Sequence, residues 1–576
     1  MAAADSAEPG AAARHDVGMN AHDELIDLAE RYWDSVLESA PSEATLLGDR
    51  RFDDRIEDYS PEADQRLLTT WRDLLARVAA LDPAGLSDTD RTTRSLLHAE
   101  LDSAIDHRAW RPTELASDQM EGVHSLLLTA APQLNAPRPE NAEALVRRFR
   151  QIGVALAQAT DRFRAGLAAG RAPARIAIER SLNQLDGYLA SGLDSDPFVV
   201  FPGPADWDGE KAWRATLTEV AREVIRPAFR AYRQVLAEEL LPAARPDEKA
   251  GLCWLGADGE DIYRRLLRRH TTLADLGADE IHEIGLAEIE RLRGEYAELC
   301  GRLFGLTDMS AILERLRTDT DLNYTEGEQV MADARKALAA AEIEMPNWFG
   351  RLPRQGCDIV PVPEFLAADA PGAYYFPPAA DGSRPGTYFV NLHDPKSRPR
   401  YQTGAIAYHE AIPGHHLQLT IAGELENLPR FQRQSFANTA FVEGWALYTE
   451  RLADEMGLYA DDLARLGMLA ADSFRSCRLV VDTGLHAKGW SRQQALDYMI
   501  STVPIGLTEI RTEIDRYIAM PGQAVGYKIG QLEILNQRAR TTTRLGPTFD
   551  IKTFHDKILG SGSISLPVLR ELTASL

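Results

Sequence analysis

Apolar residues recur at three- and four-residue spacing along most of the chain, which is the pattern of amphipathic α-helices. Residues 22–38, for example, place Leu25, Ala29, Trp33 and Val36 on one helix face. Comparable stretches lie near 64–82, 90–107, 140–168, 210–240, 277–300 and 326–344, and again at 402–424, 432–456, 460–488, 491–500, 505–517 and 523–541. The pattern therefore predicts a mainly α-helical protein.

Strand-like sequence is concentrated between residues 357 and 393. Three short runs rich in β-branched and aromatic residues, at 358–362, 373–376 and 387–391, are separated by Pro, Gly and Asp clusters. These runs predict a small antiparallel β-sheet immediately before the predicted helix at 402–424.

The domain organisation is predicted from the positions of turn-forming residues and of apolar residues along the chain. The first twenty residues, rich in Ala, Gly, Asp and Glu, have no apolar signal segment and predict a disordered tail over 1–20. The Pro- and Gly-containing segment 242–258 is the expected boundary between an N-terminal helical lobe, 21–250, and a C-terminal lobe, 251–576, that carries the chemistry.

Composition and charge narrow the classes of function. The 576 residues are 44% hydrophobic and 26% charged, as in soluble globular proteins, and no apolar run approaches the ~20 residues that span a bilayer. A net charge of −24 argues against nucleic-acid binding, which requires clustered Lys and Arg. Four scattered cysteines without a C-x-x-C pair indicate a reducing compartment. A cytoplasmic protein with no membrane or nucleic-acid partner is expected.

The segment from His409 to His416, with sequence HEAIPGHH, resembles a zinc-protease helix with two additional residues. In the H-E-x-x-H signature, two histidines one helical turn apart bind Zn²⁺ and the glutamate acts as general base. Here Pro413 occupies the position of the second histidine. A modified zinc site and an ordinary cluster of polar residues are the two interpretations.

Helix geometry does not decide whether His415 or His416 is the second metal ligand. On an unbroken helix His416 would share a face with His409, but two turns apart, about 10.5 Å along the axis. Pro413 cannot donate to the helix ladder, and the following glycine permits unusual backbone angles, so we expect a bulge or kink here. A bulge absorbing two residues would bring His415 to the ligand position.

A third ligand is expected from the following helix, where the acids Glu443 and Glu450 lie seven residues and hence two turns apart. Glu443 is embedded among apolar residues, so it is expected to face inward and to need a partner there. Glu450, beside Arg451, is expected either to support the site or to lie at the surface. Three histidines within eight residues, next to an acid and a Pro-Gly pair, favour the zinc interpretation, although these ligand types also bind manganese or cobalt.

At these residues the sequence resembles the bacterial family called domain of unknown function 885. That family is related to the zincin (gluzincin) metallopeptidases and carries a His-Glu-x-x-Pro-Gly-His pattern. The pattern is matched by His409, Glu410, Pro413, Gly414 and His415, which favours His415 as the second ligand. Segments 443–446, 478–486 and 521–530 agree with it, and the resemblance runs from about Ala40 to the C-terminus as one continuous domain.

The resemblance implies a helical zincin-like fold with a deep cleft and a small sheet beside the metal-binding helix. A cleft of that kind admits short peptides and excludes folded proteins. Glu410 is predicted to act as general base by taking a proton from water and delivering it to the leaving amine. His486, oriented by Asp482, and Tyr527 are the candidates for stabilising the oxyanion; each is equally compatible with an ordinary structural role.

Four further residues are candidates for substrate binding. Arg478 and Lys528 have the charge needed to bind a substrate carboxylate. Tyr388 and Asn391 are expected near the substrate if their strand forms an edge at which an extended peptide is added. Surface or helix-pairing roles remain open for the two cations.

The sequence therefore predicts a zinc-dependent metallohydrolase, most directly a peptidase acting on short peptides. An amidohydrolase that trims a peptide-like or acylated small molecule in specialised metabolism is the alternative, because the same ligands and base serve both reactions. A catalytically silent helical binding protein is the third interpretation. The sequence does not identify the substrate, which would distinguish the peptidase from the amidohydrolase.

Overall fold

The structure, a computed structural model, describes residues 20–367, 371–378, 384–435 and 437–576. The tail predicted over 1–20 lies outside the described residues except for Asn20. Helices account for 71% of the residues, which confirms the mainly helical prediction. Among the described residues, none of the helices combines the length and apolar character needed to cross a membrane.

The helices before the sheet are α1 Ala21–Ser39, α2 Pro41–Leu46, α3 Pro61–Ala80, α4 Asp88–Ala109, α5 Val123–Ala130, α6 Pro139–Phe149, α7 Ile152–Ala168, α8 Arg175–Ala190, α9 Glu210–Val220, α10 Arg226–Val235, α11 Leu241–Ala243, α12 Gly259–Thr271, α13 Ala278–Phe304, α14 Met309–Thr318 and α15 Gly327–Trp348. Two π-helical segments, Ala221–Ile225 and Leu236–Leu240, join α9, α10 and α11.

The sheet region contains β1 Cys357–Pro361, α16 Glu364–Ala367, β2 Ala373–Phe376 and β3 Gly386–Val390. The helices after it are α17 Gln402–Glu410, α18 His415–Gly423, α19 Arg430–Gln434, α20 Thr439–Glu455, α21 Asp462–His486, α22 Arg492–Ile500, α23 Leu507–Ala519, α24 Gly526–Leu545, α25 Ile551–Leu559 and α26 Leu566–Ala574.

The predicted helices correspond to observed ones, but three predicted stretches are each divided in two. The stretch 140–168 forms α6 and α7, 402–424 forms α17 and α18, and 432–456 forms α19 and α20. Periodicity does not register these breaks because the apolar spacing continues across them.

The sheet was predicted to be antiparallel, but it is mixed. Its order is β1-β3-β2, with β1 parallel and β2 antiparallel to β3. The chain passes from β1 through α16 to β2, which is not adjacent to β1, and β3 then lies between the two strands. Because both edges of β3 are already paired, β3 cannot accept a peptide by strand addition. That expectation is therefore wrong for Tyr388, which lies in β3, and for Asn391, which directly follows it.

Buried apolar side chains form one large core and two smaller ones. The large core joins α1, α3 and α4 to the helices of the C-terminal half, from Leu25 to Leu572. A second core lies within residues 123–240, and a third packs α21 against α22 and α23. The division into lobes at 242–258 stays a prediction.

Helices α20 and α24 cross at two glycines, which lets their backbones approach closely. A Cβ added at Gly530 would lie 1.7 Å from the carbonyl oxygen of Ala440 and 2.9 Å from the Cα of Gly444. Such contacts require the helices to move apart, because a backbone cannot yield as a flexible side chain does.

The substitution Gly530→Ala is expected to destabilise the protein by about 1–3 kcal/mol or more, through overpacking of this crossing. Thermal unfolding followed by circular dichroism measures the effect. Gly294→Ala is the matched control: Gly294 is also helical, but a Cβ there meets no atom within 4 Å. The control should be neutral or stabilising, by about 0.5–1 kcal/mol; equal melting temperatures for the two variants would contradict the prediction.

Candidate metal centre

The HEAIPGHH segment breaks the helix completely instead of forming the predicted bulge within one helix. Helix α17 ends at Glu410 and α18 begins at His415. Gly414 makes the break possible, because a Cβ there would lie 1.9 Å from the carbonyl oxygen of His409 and 2.4 Å from that of Tyr408. The first histidine and the Glu therefore end one helix, and the second histidine begins the next.

Helix α20 fixes this break through two side-chain hydrogen bonds. The indole Nε1 of Trp445 donates to the carbonyl oxygen of Pro413 at 3.0 Å. The hydroxyl of Thr449 donates to the carbonyl oxygen of Tyr408 at 3.1 Å. The helix that carries Glu443 is thereby attached to both sides of the break.

Three side chains converge as a result, and we call His409, His415 and Glu443 the His-His-Glu cluster. Each offers one ligand atom, and these atoms all lie within 4.8 Å of one another. The Oε2 of Glu443 is 3.6 Å from Nε2 of His409 and 3.4 Å from Nε2 of His415. The prediction that these three residues share one site agrees with this placement.

The spacing within the cluster suits metal ligands better than hydrogen-bond partners. Hydrogen bonds between N–H and oxygen are ordinarily 2.7–3.2 Å long, shorter than both contacts. Ligands about 2.05 Å from a tetrahedral zinc ion lie about 3.3 Å apart. Two imidazoles and one carboxylate are also a donor set that catalytic zinc sites use.

Glu450 orients the first histidine from within the protein. It is 1% exposed, and its Oε1 accepts a hydrogen bond from Nδ1 of His409 at 2.8 Å. Because a carboxylate only accepts, the Nδ1 donates and Nε2 is directed into the cluster. Burial lowers the pKa of His409, but Glu443 and Glu450 outweigh it and raise that pKa to about 9.

The two other carboxyls at the site have opposite pKa shifts. Burial raises the pKa of Glu443, but His409 and His415 outweigh it and hold that pKa well below its usual range. Burial, with the nearby Glu443 carboxylate, raises the pKa of Glu410, against the two histidines. Glu410 accepts no hydrogen bond from any described residue, which leaves its carboxyl available to a water or substrate proton.

His416 lies outside the cluster. Its Nδ1 is 2.8 Å from the hydroxyl of Tyr375 on β2, and its Nε2 is 3.1 Å from the carbonyl oxygen of Gln355. Burial lowers the pKa of His416 to about 4. His416 thus fastens α18 to the sheet, and His415 is the histidine of the pair that enters the cluster.

The pKa values of the two predicted tyrosines respond to carboxyls of the site. The carboxylate of Glu443 raises the pKa of Tyr527, adding to the effect of burial. The carboxyl of Glu410 similarly raises the pKa of Tyr388, again after burial. Tyr527 is half-buried, whereas Tyr388 is 1% exposed.

The predicted substrate cations differ in availability. Lys528 is 1% exposed and is bound by Asp472, Glu288 and Gln531, so it is not free to bind a substrate carboxylate. Arg478 donates through Nε to the hydroxyl of Tyr517 and through Nη2 to Glu513, but its buried Nη1 has no partner.

The structure does not bring His486 to the cluster. Its Nδ1 accepts from the backbone N–H of Leu252 at 3.1 Å, and its Nε2 donates to the carbonyl oxygen of Tyr517 at 3.0 Å. The proposed partner Asp482 instead accepts from the hydroxyl of Tyr263 and the backbone N–H of Gly522. His486 is therefore a buried packing residue, and its assignment as an oxyanion donor is not supported by its contacts.

Asn391 is likewise engaged in the protein. Its side chain donates to the carbonyl oxygens of Ala367 and Pro371 and accepts from the backbone N–H of His393. It holds together the loops around the sheet, so it does not present a free amide to a substrate.

Arg475 is a site residue that the sequence analysis missed. It lies on α21 three residues before Arg478, and its charge lowers the pKa of Glu410 against the effect of burial. The spacing of Arg475 and Arg478 places both on one helix face, and this i, i+3 relation is the signal that would have identified it.

A cavity of about 140 Å³ lies elsewhere, lined by residues of α4, α12 and α26 that include Glu100, His107 and Arg269. None of its lining residues belongs to the His-His-Glu cluster. The cluster instead reaches solvent through the partly exposed side chains of Glu443 and Glu410.

Comparisons with known proteins identify a family but no activity. A family model described as "Bacterial protein of unknown function (DUF885)" matches residues 41–572. No curated protein matches the chain. The predicted cytoplasmic location stays a prediction.

Two solved bacterial structures, each described as a "putative lipoprotein", are similar to the chain. The one from Colwellia psychrerythraea is 26% identical with a TM-score of 0.89, covering 96% of this chain and 99% of that one. The one from Shewanella oneidensis, of unknown function, is 18% identical with a TM-score of 0.72 and the same coverage. The second likeness shows the fold alone.

Removing the carboxylate that orients His409 should weaken metal binding. Glu450→Ala is expected to lower zinc affinity by about 10- to 100-fold, because His409 loses the partner that fixes its ring. Competition with a chromophoric chelator measures the affinity. Glu455→Ala is the control, since Glu455 lies on the same helix but pairs with Arg538 at the surface. Unchanged affinity in Glu450→Ala would show that the hydrogen bond does not support the site.

A second prediction concerns Asp482, whose pKa burial raises from 3.8 to about 7. Between those values the folded protein keeps a proton that the unfolded chain releases, so stability falls as the pH rises through this window. In Asp482→Asn this loss should disappear, and the pH profile of the melting temperature should flatten between about pH 4 and about pH 7. Asp497→Asn, at an exposed site, is the control; parallel profiles for native protein and Asp482→Asn would refute the prediction.

Proposed function

The chain belongs to the bacterial family of unknown function DUF885, and from the site itself we propose that it is a zinc-dependent, zincin-like hydrolase that cleaves amide bonds of short peptides. The observation that carries the proposal is the convergence of Nε2 of His409, Nε2 of His415 and a carboxylate oxygen of Glu443.

The residues fit a zinc ion by donor type, spacing and support. Their two contacts of 3.4 and 3.6 Å are ligand-like, and Glu450 orients the ring of His409. The Nδ1 of His415 is buried without a hydrogen-bond partner, so that ring is not engaged in an alternative network of the protein. When bound, zinc acts as a Lewis acid that activates water and polarises a carbonyl.

Glu410 is assigned the proton transfers. Its carboxyl follows His409 directly, lies within the electrostatic reach of both histidines, and accepts no hydrogen bond from a described residue. It takes a proton from the attacking water and gives it to the leaving nitrogen. The carbonyl carbon gains the water oxygen and the C–N bond breaks with its electron pair on nitrogen. Both protons of the water end on that nitrogen, so the products are a carboxylate and an ammonium group.

Tyr527 is assigned the stabilisation of the oxygen that becomes negative during this attack. It is half-buried, and its ring lies under the guanidinium of Arg478 at 4.5 Å. Burial and the Glu443 carboxylate both raise the pKa of its hydroxyl, so the hydroxyl keeps its proton. A phenolic O–H in such a position donates a hydrogen bond to developing negative charge.

The proposal is tested by metal analysis and peptide hydrolysis on three proteins. Native protein and Glu410→Gln should each bind about one zinc per chain, and His409→Ala should bind little, since the site needs both imidazoles. Native protein should hydrolyse members of a dipeptide and tripeptide library. Glu410→Gln should be slower by about 10²–10⁴-fold, because it lacks the general base.

His393→Ala is the matched control for histidine removal, because His393 is exposed and lies outside the cluster. It should retain both zinc and activity. A native protein that binds no stoichiometric zinc when zinc is supplied would overturn the proposal. Full activity in Glu410→Gln would refute the role of that residue.

A further inference from the structure

We propose that the substrates carry a free carboxylate close to the scissile amide, and that Arg475, together with the unpaired Nη1 of Arg478, binds it. This inference rests on the proposed function and deepens it. It defines the activity as removal of a residue from the carboxyl end of a short peptide, as in a carboxypeptidase or dipeptidase.

Arg475 lies on the side of α21 that faces the site. Helix α21 packs directly against α17, which ends at Glu410. The charge of Arg475 acts on the carboxyl of Glu410. One turn further along α21, the guanidinium of Arg478 lies 4.5 Å from the ring centre of Tyr527. Tyr527 stands between Gly526 and Gly530, the α24 glycines that pack against Ala440 and Gly444 of α20, and Glu443 directly precedes Gly444. Arg478 therefore lies where α24 meets the helix that carries Glu443, and Arg475 lies one turn before it.

Arg475 differs from most cations of this region because it has no acidic partner. Among the described residues it forms neither a hydrogen bond nor an ion pair within 4.0 Å, and its Nε is buried without a partner. On the same helix Arg465 pairs with Asp454 and Asp462. Removing the Nε of an arginine from water without a hydrogen-bond partner costs free energy, and a bound anion that accepts its hydrogen bond would offset this cost.

The two guanidinium groups both lie near the ring of Phe474. The Cζ of Arg475 lies 5.1 Å from the ring centre of Phe474, and the Cζ of Arg478 lies 4.2 Å from the same ring. Arg478 is 5% exposed and keeps one buried nitrogen, Nη1, without a partner. Two guanidinium groups near one ring, each with an unused donor, match a carboxylate, which accepts several N–H bonds at once.

The nearby acids do not satisfy this pair. Glu513 is shared between Arg478 and Arg516, at 3.1 and 2.9 Å. Glu509 acts electrostatically on this region, but it is not within ion-pair distance of Arg475. One shared carboxylate and one distant one leave the arginine pair short of negative charge.

Solvent reaches this corner of the site. Glu509, which acts on both arginines, is exposed. Arg475 is itself half-buried, so part of its side chain is open to a substrate.

The test is a binding measurement on zinc-loaded Glu410→Gln, which separates binding from hydrolysis. Di- and tripeptides are used in pairs that differ only in a C-terminal carboxylate or carboxamide, and their dissociation constants are measured by calorimetry. The carboxylate form should bind about 10- to 100-fold more tightly, as expected for charge-assisted hydrogen bonds. Adding Arg475→Gln should reduce the ratio of the two constants to within about threefold of one, while Arg475→Lys should preserve part of it.

Arg465→Gln in the same background is the control, because Arg465 lies on α21 and is also an arginine, but pairs with acids away from the site. Its carboxylate-to-carboxamide ratio should equal that of the parent. Equal binding of the two peptides, binding of neither, or an unchanged ratio in Arg475→Gln would each overturn the inference. The last result would assign the carboxylate to the metal, and it would leave the proposed hydrolase intact. Failure of the proposed function shows itself separately, as absence of zinc or of peptide hydrolysis in native protein.

Discussion

The close approach of Gly414 to the carbonyl oxygens of Tyr408 and His409 is the contact on which the site depends. It allows the chain to leave one helix and begin another within four residues, so His409 and His415 come together from two separate helix ends. Trp445 and Thr449 then bind the carbonyl groups on either side of the break, and this brings Glu443 to the same point. Without that approach, the two imidazoles would lie on different faces of one helix.

The sequence was sufficient for the helical class and for the cluster, for different physical reasons. Helical periodicity is a local signal, and in α1 it correctly placed Leu25, Ala29 and Trp33 in the core. The same period made α17 and α18 look like one helix, because the side-chain spacing continues where the backbone does not. The cluster was predictable because its two histidines lie within seven residues around a Pro-Gly pair that must interrupt the helix, and Glu443 is an acid among apolar residues of a later helix.

The errors concern residues whose partners are distant in sequence. His486 and Asp482 share a helix face, but Asp482 bonds Tyr263 and Gly522, and His486 bonds backbone groups of two other segments. Lys528 seemed available for a substrate only because its partners, Asp472 and Glu288, lie 56 and more residues away. Strand direction failed similarly, since the order β1-β3-β2 depends on where β3 inserts. Local pattern does not determine these long-range choices.

The buried Asp472 also has a consequence for how this protein can change over evolutionary time. Its carboxylate binds Lys528 of α24 and Arg451 of α20, and it lies 3.4 Å from Arg291 of α13. Losing Asp472 would deprive all three cations of the carboxylate that they share, and losing the buried Lys528 would remove the positive charge nearest to that carboxylate. Sequence drift at the four positions is therefore coupled: descendants should exchange them as a set or keep them all. Substitutions in α20 and α21, the helices that carry Glu443 and Arg475, are therefore expected to be coupled, although neither residue contacts Asp472.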